Sequence, residues 1–406
     1  MRILCTLAVE NEGPTDVPRP KGVTDGKWDK VDQQQVTAAL KNADATASTL
    51  KLALSGGKGA LLGLTQEELE TIAVEHGEKK YRGKQIYDAL YKRGAREIDD
   101  FKQLPKSFRE LLAQSGLYVG RSEVHHVAKA KDGTAKLLIK LSDNRIVETV
   151  GIPATKAQNP RLTVCVSSQG KGGFARNLKA NEIVDQVLAV QEYFGQRVTH
   201  IVFMGMGEPL LNLPSVIAAH RCLNQEVGIG ARNMTISTVG VPNAIMKLAK
   251  HKIQSTLAVS LHAPNQDLRI QLIPSAKVYP IEALLMDCQA YFNYTKRRVS
   301  FEYTLLAGVN DSRDDARELG QLLRKYGLAG HVNIIPYNPV DGAPYDRPTK
   351  RGVEEFKQEL EKYKMEVTVR ETRGLEAAAA CGQLRNAFQK TPLEEGASAA
   401  LSGAAS

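Results

Sequence analysis

From residue 161 onward the chain repeats one pattern: a short apolar run rich in β-branched residues, followed by a longer segment with helical spacing. Candidate strands fall at about 161–167, 198–204, 233–238, 254–261, 298–304, 330–336 and 365–370, and candidate helices near 178–195, 213–226, 241–250, 281–293, 313–327 and 351–363. Such alternation calls for a parallel sheet, because a crossover between parallel strands must be long enough to hold a helix. Six or seven units fall short of the eight of a closed barrel. The expectation is therefore an α/β fold, a partial (β/α) barrel over 161–390. Its chemistry should lie in the loops that follow the strands, where helix N-termini leave backbone N–H groups free.

Other textures precede and follow the barrel. Residues 1–60 mix Asp, Lys, Pro, Gln and Thr, and are read as a disordered extension too acidic for a transit peptide. Residues 61–117 form a small helical domain, opened by a capping box of Thr65 and Glu68 with Leu69, Ile72 and Val74 facing inward. A second helix over Tyr81–Arg93 leaves Arg82, Lys84, Lys92 and Arg93 outward, and a third helical piece spans Phe101–Ala113. This basic face reads equally as an RNA contact or as a solvated surface. Residues 118–160 alternate as a β-meander connector in which the adjacent pair His125 and His126 receives no role, and 391–406 is a loose, disordered tail.

The formal charge of +9 suits an acidic partner such as nucleic acid. No apolar run reaches the roughly 18 residues of a membrane span. The five cysteines, Cys5, Cys165, Cys222, Cys288 and Cys381, are scattered rather than framed as disulfides, which fits a reducing compartment. Cys222 and Cys288 fall in helical segments and read as inert buried thiols. Cys381 sits among small residues between Arg373 and Arg385, which keeps a thiol accessible and favours thiolate, so it is a candidate nucleophile.

The strand ends gather further candidates. The first strand runs into Ser167-Ser168-Gln169-Gly170-Lys171-Gly172-Gly173, with Cys165 just before. The second ends in Met204-Gly205-Met206-Gly207-Glu208-Pro209, whose glycines allow a close backbone approach and whose Glu208 can accept from an ammonium group. Ser237, Thr238 and Gly240 follow the third strand, Ser260-Leu261-His262-Ala263-Pro264-Asn265 the fourth, and Pro336-Tyr337-Asn338-Pro339 the sixth. Hydroxyls, an amide and an imidazole on a glycine-lined rim suit an amino acid, a ribose and an adenine together. Each also has a plain reading, glycines as turns and His262 as a hydrogen-bonded structural histidine. The Gly170–Gly173 run lacks the spacing of a phosphate-binding P-loop.

Taken together, Cys165-Val166-Ser167-Ser168-Gln169, Gly172-Gly173-Phe174-Ala175-Arg176-Asn177-Leu178, Gly205 to Asn212, Ser260 to Asn265 and Ala380-Cys381-Gly382-Gln383-Leu384 resemble one family. It is the radical S-adenosylmethionine (SAM) adenine-C2 methyltransferases of ribosomal and, in bacteria, transfer RNA, and the similarity runs from about Leu64 to Lys390. The resemblance implies a radical-SAM partial barrel and assigns Gly207, Glu208, Ser237, Ser260, Leu261, His262 and Asn338 to SAM. It assigns Cys381 as the cysteine that carries the methyl group to adenine C2, Cys165 as the thiol that resolves the adduct, and Glu148 as the carboxylate that takes the C2 proton. The 61–117 helices resemble the family's RNA-contacting domain. A monomer served by a flavodoxin or ferredoxin electron donor is implied, in the cytoplasm or, since plant-type members look nearest, the plastid stroma.

The family holds a 4Fe–4S cluster on a Cys-x3-Cys-x2-Cys loop directly after the first strand, and here Gln169 runs straight into Gly170 without it. A skipped exon, a gene-model error and a deletion all fit that junction. No metal ligands are expected, and the chain as written is read as a family member unable to methylate. The alternative is a non-catalytic RNA- or SAM-binding protein of the same fold.

Overall fold

The computed structural model describes residues 54–55, 58–154, 160–170, 176–340 and 343–384. The expected extension therefore lies almost wholly outside the described residues, and the tail, Cys5, Lys171-Gly172-Gly173 and Arg385 lie entirely outside them. Among the described residues no helix is long and apolar enough to cross a membrane.

One sheet of ten strands organises the chain. Three come first: β1 (Glu123–Lys129), β2 (Ala135–Lys140) and β3 (Ile146–Ala154). Seven more follow: β4 (Arg161–Cys165), β5 (His200–Phe203), β6 (Met234–Thr238), β7 (Thr256–Ser260), β8 (Val299–Leu305), β9 (His331–Pro336) and β10 (Glu366–Val369). Their order in the sheet is their order in the chain. β4 to β10 pair parallel, while β1 to β4 pair antiparallel, so the meander extends the same sheet instead of standing apart from it. The sheet is open, with β1 at one edge and β10 at the other, which is the partial barrel the repeat predicts.

The helical domain supplies α1 (Gln66–Glu75), α2 (Tyr81–Tyr87) and α3 (Lys106–Gln114). The crossover helices α4 (Ala180–Phe194), α5 (Leu213–Gln225) and α6 (Ala244–Lys250) fall where the spacing places them, while the short α7 (Gln266–Leu272) is a helix the spacing does not indicate. α8 (Ile281–Thr295), α9 (Arg313–Lys325) and α10 (Lys350–Glu361) complete the layer. Val164, Ile201, Phe203, Ile236, Leu257, Phe301 and Ile334 of the strands join Val184, Val187, Leu223, Leu284, Leu319 and Phe356 of the helices in one apolar core. Every residue of β8 is buried, as expected of a central parallel strand covered on both faces.

Residues 61–119 build a second apolar cluster around Leu69, Ile72, Ile86, Leu90, Phe101, Phe108 and Leu112. The capping box at Thr65 is present, with the Glu68 carboxylate accepting from the Thr65 N–H at 2.9 Å. Val74 is 56% exposed, not inward; Ala73 takes the place beside Ile72, and a further residue turns the chain about 100° to solvent. The third helix starts only at Lys106, because Pro105 biases Leu104 away from helical backbone.

Two joints seat this cluster on the barrel. Tyr91 Oη accepts from Gly63 N at 2.9 Å, donates to Leu64 O at 2.8 Å and lies 3.3 Å from Cys222 Sγ of α5. Arg121, almost fully enclosed, pairs with Asp185 of α4 at 2.5 Å and with Glu192 at 2.8 Å. Within the cluster the helices of residues 66–75 and 81–87 touch at Gly83, where a Cβ would fall 2.2 Å from Glu70 Cα. Gly83→Ala should therefore destabilise the chain by about 1–3 kcal/mol, although alanine is favoured over glycine by about 1 kcal/mol in an open helix. Urea or thermal unfolding measures it, and an unchanged or raised midpoint would show that the two helices do not press together there.

Candidate active site at the strand mouth

Because β4 to β10 run parallel and side by side, all their C-terminal ends open on one mouth. A cavity of about 360 Å³ sits there, within the range of small-molecule sites. Cys165 ends β4, Met204 to Pro209 follow β5, Ser237 is the penultimate residue of β6, Ser260 ends β7 and His262 follows it, Asn338 follows β9 and Arg370 follows β10; all line it, together with Cys381. The structure thus brings Cys165, Gly207, Glu208, Ser237, Ser260, His262, Asn338 and Cys381 to one place. Leu261 and Glu148 do not line the cavity and are completely buried. Leu261 faces the core, as period-2 alternation after Ser260 requires, and contributes its backbone: its N–H donates to Glu302 O at 3.0 Å.

The glycines of the β5 loop serve the loop after β4. A Cβ on Gly205 would fall 2.6 Å from Ser167 Oγ, and one on Gly207, whose φ is +93°, would fall 2.5 Å from Gln169 Cβ. Ser168 N donates to Met206 O at 2.9 Å, and Glu208 N donates to Gln169 Oε1 at 3.3 Å. Gln169–Gly170 and Arg176–Asn177 then pair as two short antiparallel strands, bridged by Gln169 Nε2 donating to Asn177 Oδ1 at 3.0 Å.

Glu208 caps the turn that follows it. Its Oε1 accepts from Leu210 N and its Oε2 from Val239 N, each at 2.9 Å, which ties the β5 loop to the end of β6. Burial outweighs these bonds and pushes its carboxyl up to about 7. His262 holds an unusual left-handed backbone, φ +59°. Its Nδ1 accepts from Thr304 N at 3.0 Å and its carbonyl accepts from Asn310 Nδ2 at 2.9 Å. Burial, helped by the cation of Arg269, lowers its pKa to about 3, so the ring is neutral with its proton on Nε2. This is the hydrogen-bonded histidine of the plain reading, on the cavity wall.

Cys165 is nearly buried and its thiol is pushed up to about 12, chiefly by burial, with Cys381 adding to the rise and Arg370 opposing it. Arg370 lies beside both cysteines, with Cys381 the strongest influence in raising its pKa. The cation near Cys381 is thus Arg370 as well as the expected Arg373, which also lines the cavity. Asn338 donates from Nδ2 to Cys381 O at 3.1 Å, while its Oδ1 accepts from Arg347 at 2.8 Å and from Thr372 at 3.0 Å. Glu148 of β3 stands 3.9 Å from the Lys136 ammonium, and its carbonyl accepts from Ser167 Oγ at 2.7 Å. Among the described residues no cluster of three or more His, Cys, Asp and Glu side chains is arranged to hold a metal ion.

Sequence reasoning does not single out Arg370, Glu302, Thr163, Thr304, Glu371 and Thr372 of the lining, nor Arg347 and Lys136 beside it. Arg370 carried a usable signal, since it stands at the C-terminal end of the last predicted strand.

Comparison with known proteins decides the family. Residues 60–116 match the ribosomal RNA large subunit methyltransferase N-terminal domain and residues 163–320 match the radical SAM superfamily. A probable dual-specificity RNA methyltransferase RlmN of Thermosynechococcus vestitus is 52% identical over 339 residues, covering 80% of this chain and 98% of the relative. The protein of the same description from Gloeobacter violaceus is 54% identical over 337 residues, covering 80% and 94%. The chain belongs to the RlmN family of radical SAM methyltransferases. In three dimensions, the crystal structure of a radical SAM methyltransferase from Sphaerobacter thermophilus matches with a TM-score of 0.75 at 41% identity, over 80% of this chain and 99% of that one.

The raised pKa of Glu208 has a sign that unfolding can read. From its ordinary value of 4.5 up to about 7 the native chain keeps a proton that the unfolded chain has lost, so this group's contribution to stability falls as pH rises through that window. Glu208→Gln removes the titration, so wild type should lose about 2 kcal/mol more than the variant between about pH 5 and pH 8. Urea unfolding at the two pH values measures the difference, and a gap independent of pH would refute it.

Proposed function

We propose that this chain is the scaffold of an RNA adenine-C2 methyltransferase that keeps its SAM and RNA sites but, as written, cannot assemble the cluster that starts the reaction. The mouth carries the reading: two thiols, Cys165 and Cys381, share one cavity with Glu208 and the Arg370 guanidinium. When bound, a 4Fe–4S cluster would supply the electron that cleaves SAM; such clusters depend on cysteine thiolates. The residues present do not fit one. Lys171 to Ala175 contain no cysteine, Cys222 and Cys288 are enclosed in α5 and α8, and Cys165 and Cys381 are committed to the methyl-transfer cycle in this reading.

What the chain's own residues do follows from their positions. Each oxygen of Glu208 accepts one backbone N–H, which leaves lone pairs for the ammonium of a methionine moiety. Gly207, Ser237, Ser260 and His262 line the wall for the rest of SAM, Leu261 ties that wall to β8 through its N–H on Glu302 O, and Asn338 acts by holding the Cys381 carbonyl. Cys381 is the methyl carrier and Cys165 the resolving thiol. Glu148 is assigned the C2 proton, which must reach it behind the cavity wall that encloses it beside Lys136. The substrate is adenine in ribosomal RNA, and in transfer RNA if the chain shares the dual specificity its relatives are named for. The helical domain over 61–117, with Arg82, Lys84, Lys92 and Arg93, contacts that RNA, and the compartment is the cytoplasm or a plastid stroma.

Anaerobic reconstitution with iron and sulfide tests this reading. The expected outcome is no stoichiometric iron and no 5′-deoxyadenosine. SAM binding by calorimetry should persist, as should RNA binding whose log affinity falls linearly with log salt. Cluster-level iron with SAM cleavage would overturn the claim of inactivity. Loss of both SAM and RNA binding at low salt would overturn the retained sites.

A further inference from the structure

We propose that the turn between β1 and β2 is a latch that positions the Cys381 segment across the strand mouth, with Asp132 and Lys136 as its positioning residues. β10 lies at one edge of the open sheet and the β1–β2 hairpin at the other. The chain that leaves β10 crosses between them, because Gly374 N donates to Asp132 Oδ2 at 2.8 Å, only a few residues after the strand ends. Asp132 Oδ1 meanwhile accepts from Thr134 N at 2.9 Å, so a single carboxylate shapes the turn and holds the crossing segment.

The contact continues along the segment. Lys131 N donates to Glu376 Oε2 at 3.2 Å, and Lys136 Nζ donates to Ala378 O at 3.2 Å. The Lys131 pair is exposed and adds little, whereas Lys136 is enclosed and its bond is shielded from water. Ala378 holds a left-handed backbone, φ +47°, rare for a residue with a side chain and sustained only where neighbours enforce it. The fit is close: at Gly374, whose φ is +74°, a Cβ would fall 2.7 Å from Thr134 Cγ2. Beyond Cys381 the segment is fastened again, by Asn338 Nδ2 to Cys381 O and by Gln383 Nε2 to Pro339 O at 2.8 Å. Cys381 is therefore held between an anchor on the first hairpin and an anchor after β9. The same Lys136 stands beside Glu148, so the carboxylate and the cysteine segment share one support.

The catalytic meaning of this latch rests on the role given to Cys381 above, but its test does not. In the full-length protein under anaerobic, reducing conditions, iodoacetamide labelling resolved by peptide mass spectrometry reads the exposure of each thiol separately. Asp132→Ala removes the outer anchor from an exposed position, and Gly374→Val wedges the segment off Thr134. Both should raise the labelling rate of Cys381 more than about twofold while Cys222 and Cys288 stay protected, as expected for local opening without global unfolding. A Cys381 rate within about twofold of wild type in either variant, or a rise shared by Cys222 and Cys288, would overturn the proposal. Loss of SAM binding with the selective Cys381 response intact would count against the proposed function and leave the latch standing.

Discussion

Parallel hydrogen bonding of seven strands in chain order is the constraint from which the rest of the structure follows. Each strand from β5 onward pairs with the one made just before it, and each pairing demands a helix on the outer face to bring the chain back. The result is a sheet whose seven C-terminal ends share a rim, with the apolar core behind it. Polar side chains at those ends therefore converge without any local sequence relation among them. Cys165 and Cys381 lie more than two hundred residues apart and yet line one cavity.

The interior of the rim is held by polar groups that brace one another. Asn333 Nδ2 donates to Glu302 Oε2 at 2.7 Å, Thr368 Oγ1 donates to Asn333 Oδ1 at 2.9 Å, and Ser300 Oγ bonds His331 Nδ1 at 2.8 Å, linking β8, β9 and β10 beneath the cavity. Glu302 and Arg370 bring opposite charges to this layer, beside the two thiols. Burial is the dominant influence on Glu208, Cys165 and His262, whereas Arg370 answers first to Cys381. Burial pushes Glu208 and Cys165 up and His262 down, favouring the neutral form of each.

The elements of the barrel were legible because their physics is periodic. The spacing bounds the strands and the longer crossover helices to within a few residues, though not the short α7, and the rule that chemistry follows strand ends points to Glu208, Ser237, Ser260 and Asn338. Contacts between distant segments were not legible. Nothing in the local sequence of Lys136 or Asp132 tells that they meet Ala378 and Gly374, since that depends on the sheet being open and on which edge the chain crosses to. The glycines at 205 and 207 suggest room for a ligand; both line the cavity, and they also admit the loop after β4, Gly205 its Val166–Ser167 stretch and Gly207 the Gln169 side chain. Val74 failed for a simpler reason: one position on a helix decides between core and solvent, and Ala73 filled the place.

The chain-ordered sheet also sets a timetable. A sheet whose strands add to the preceding edge can grow while the polypeptide is still being synthesised, since each new strand finds its template already formed. The segment bearing Cys381 is excluded from that growth. Its docking partners, the β1–β2 turn and the loop after β9, flank nearly the whole sheet, so it can settle only after β10 is in place. Assembly of the cavity is thus a report on completed synthesis. A nascent or truncated chain would own the rim and the core, but never both thiols in one cavity.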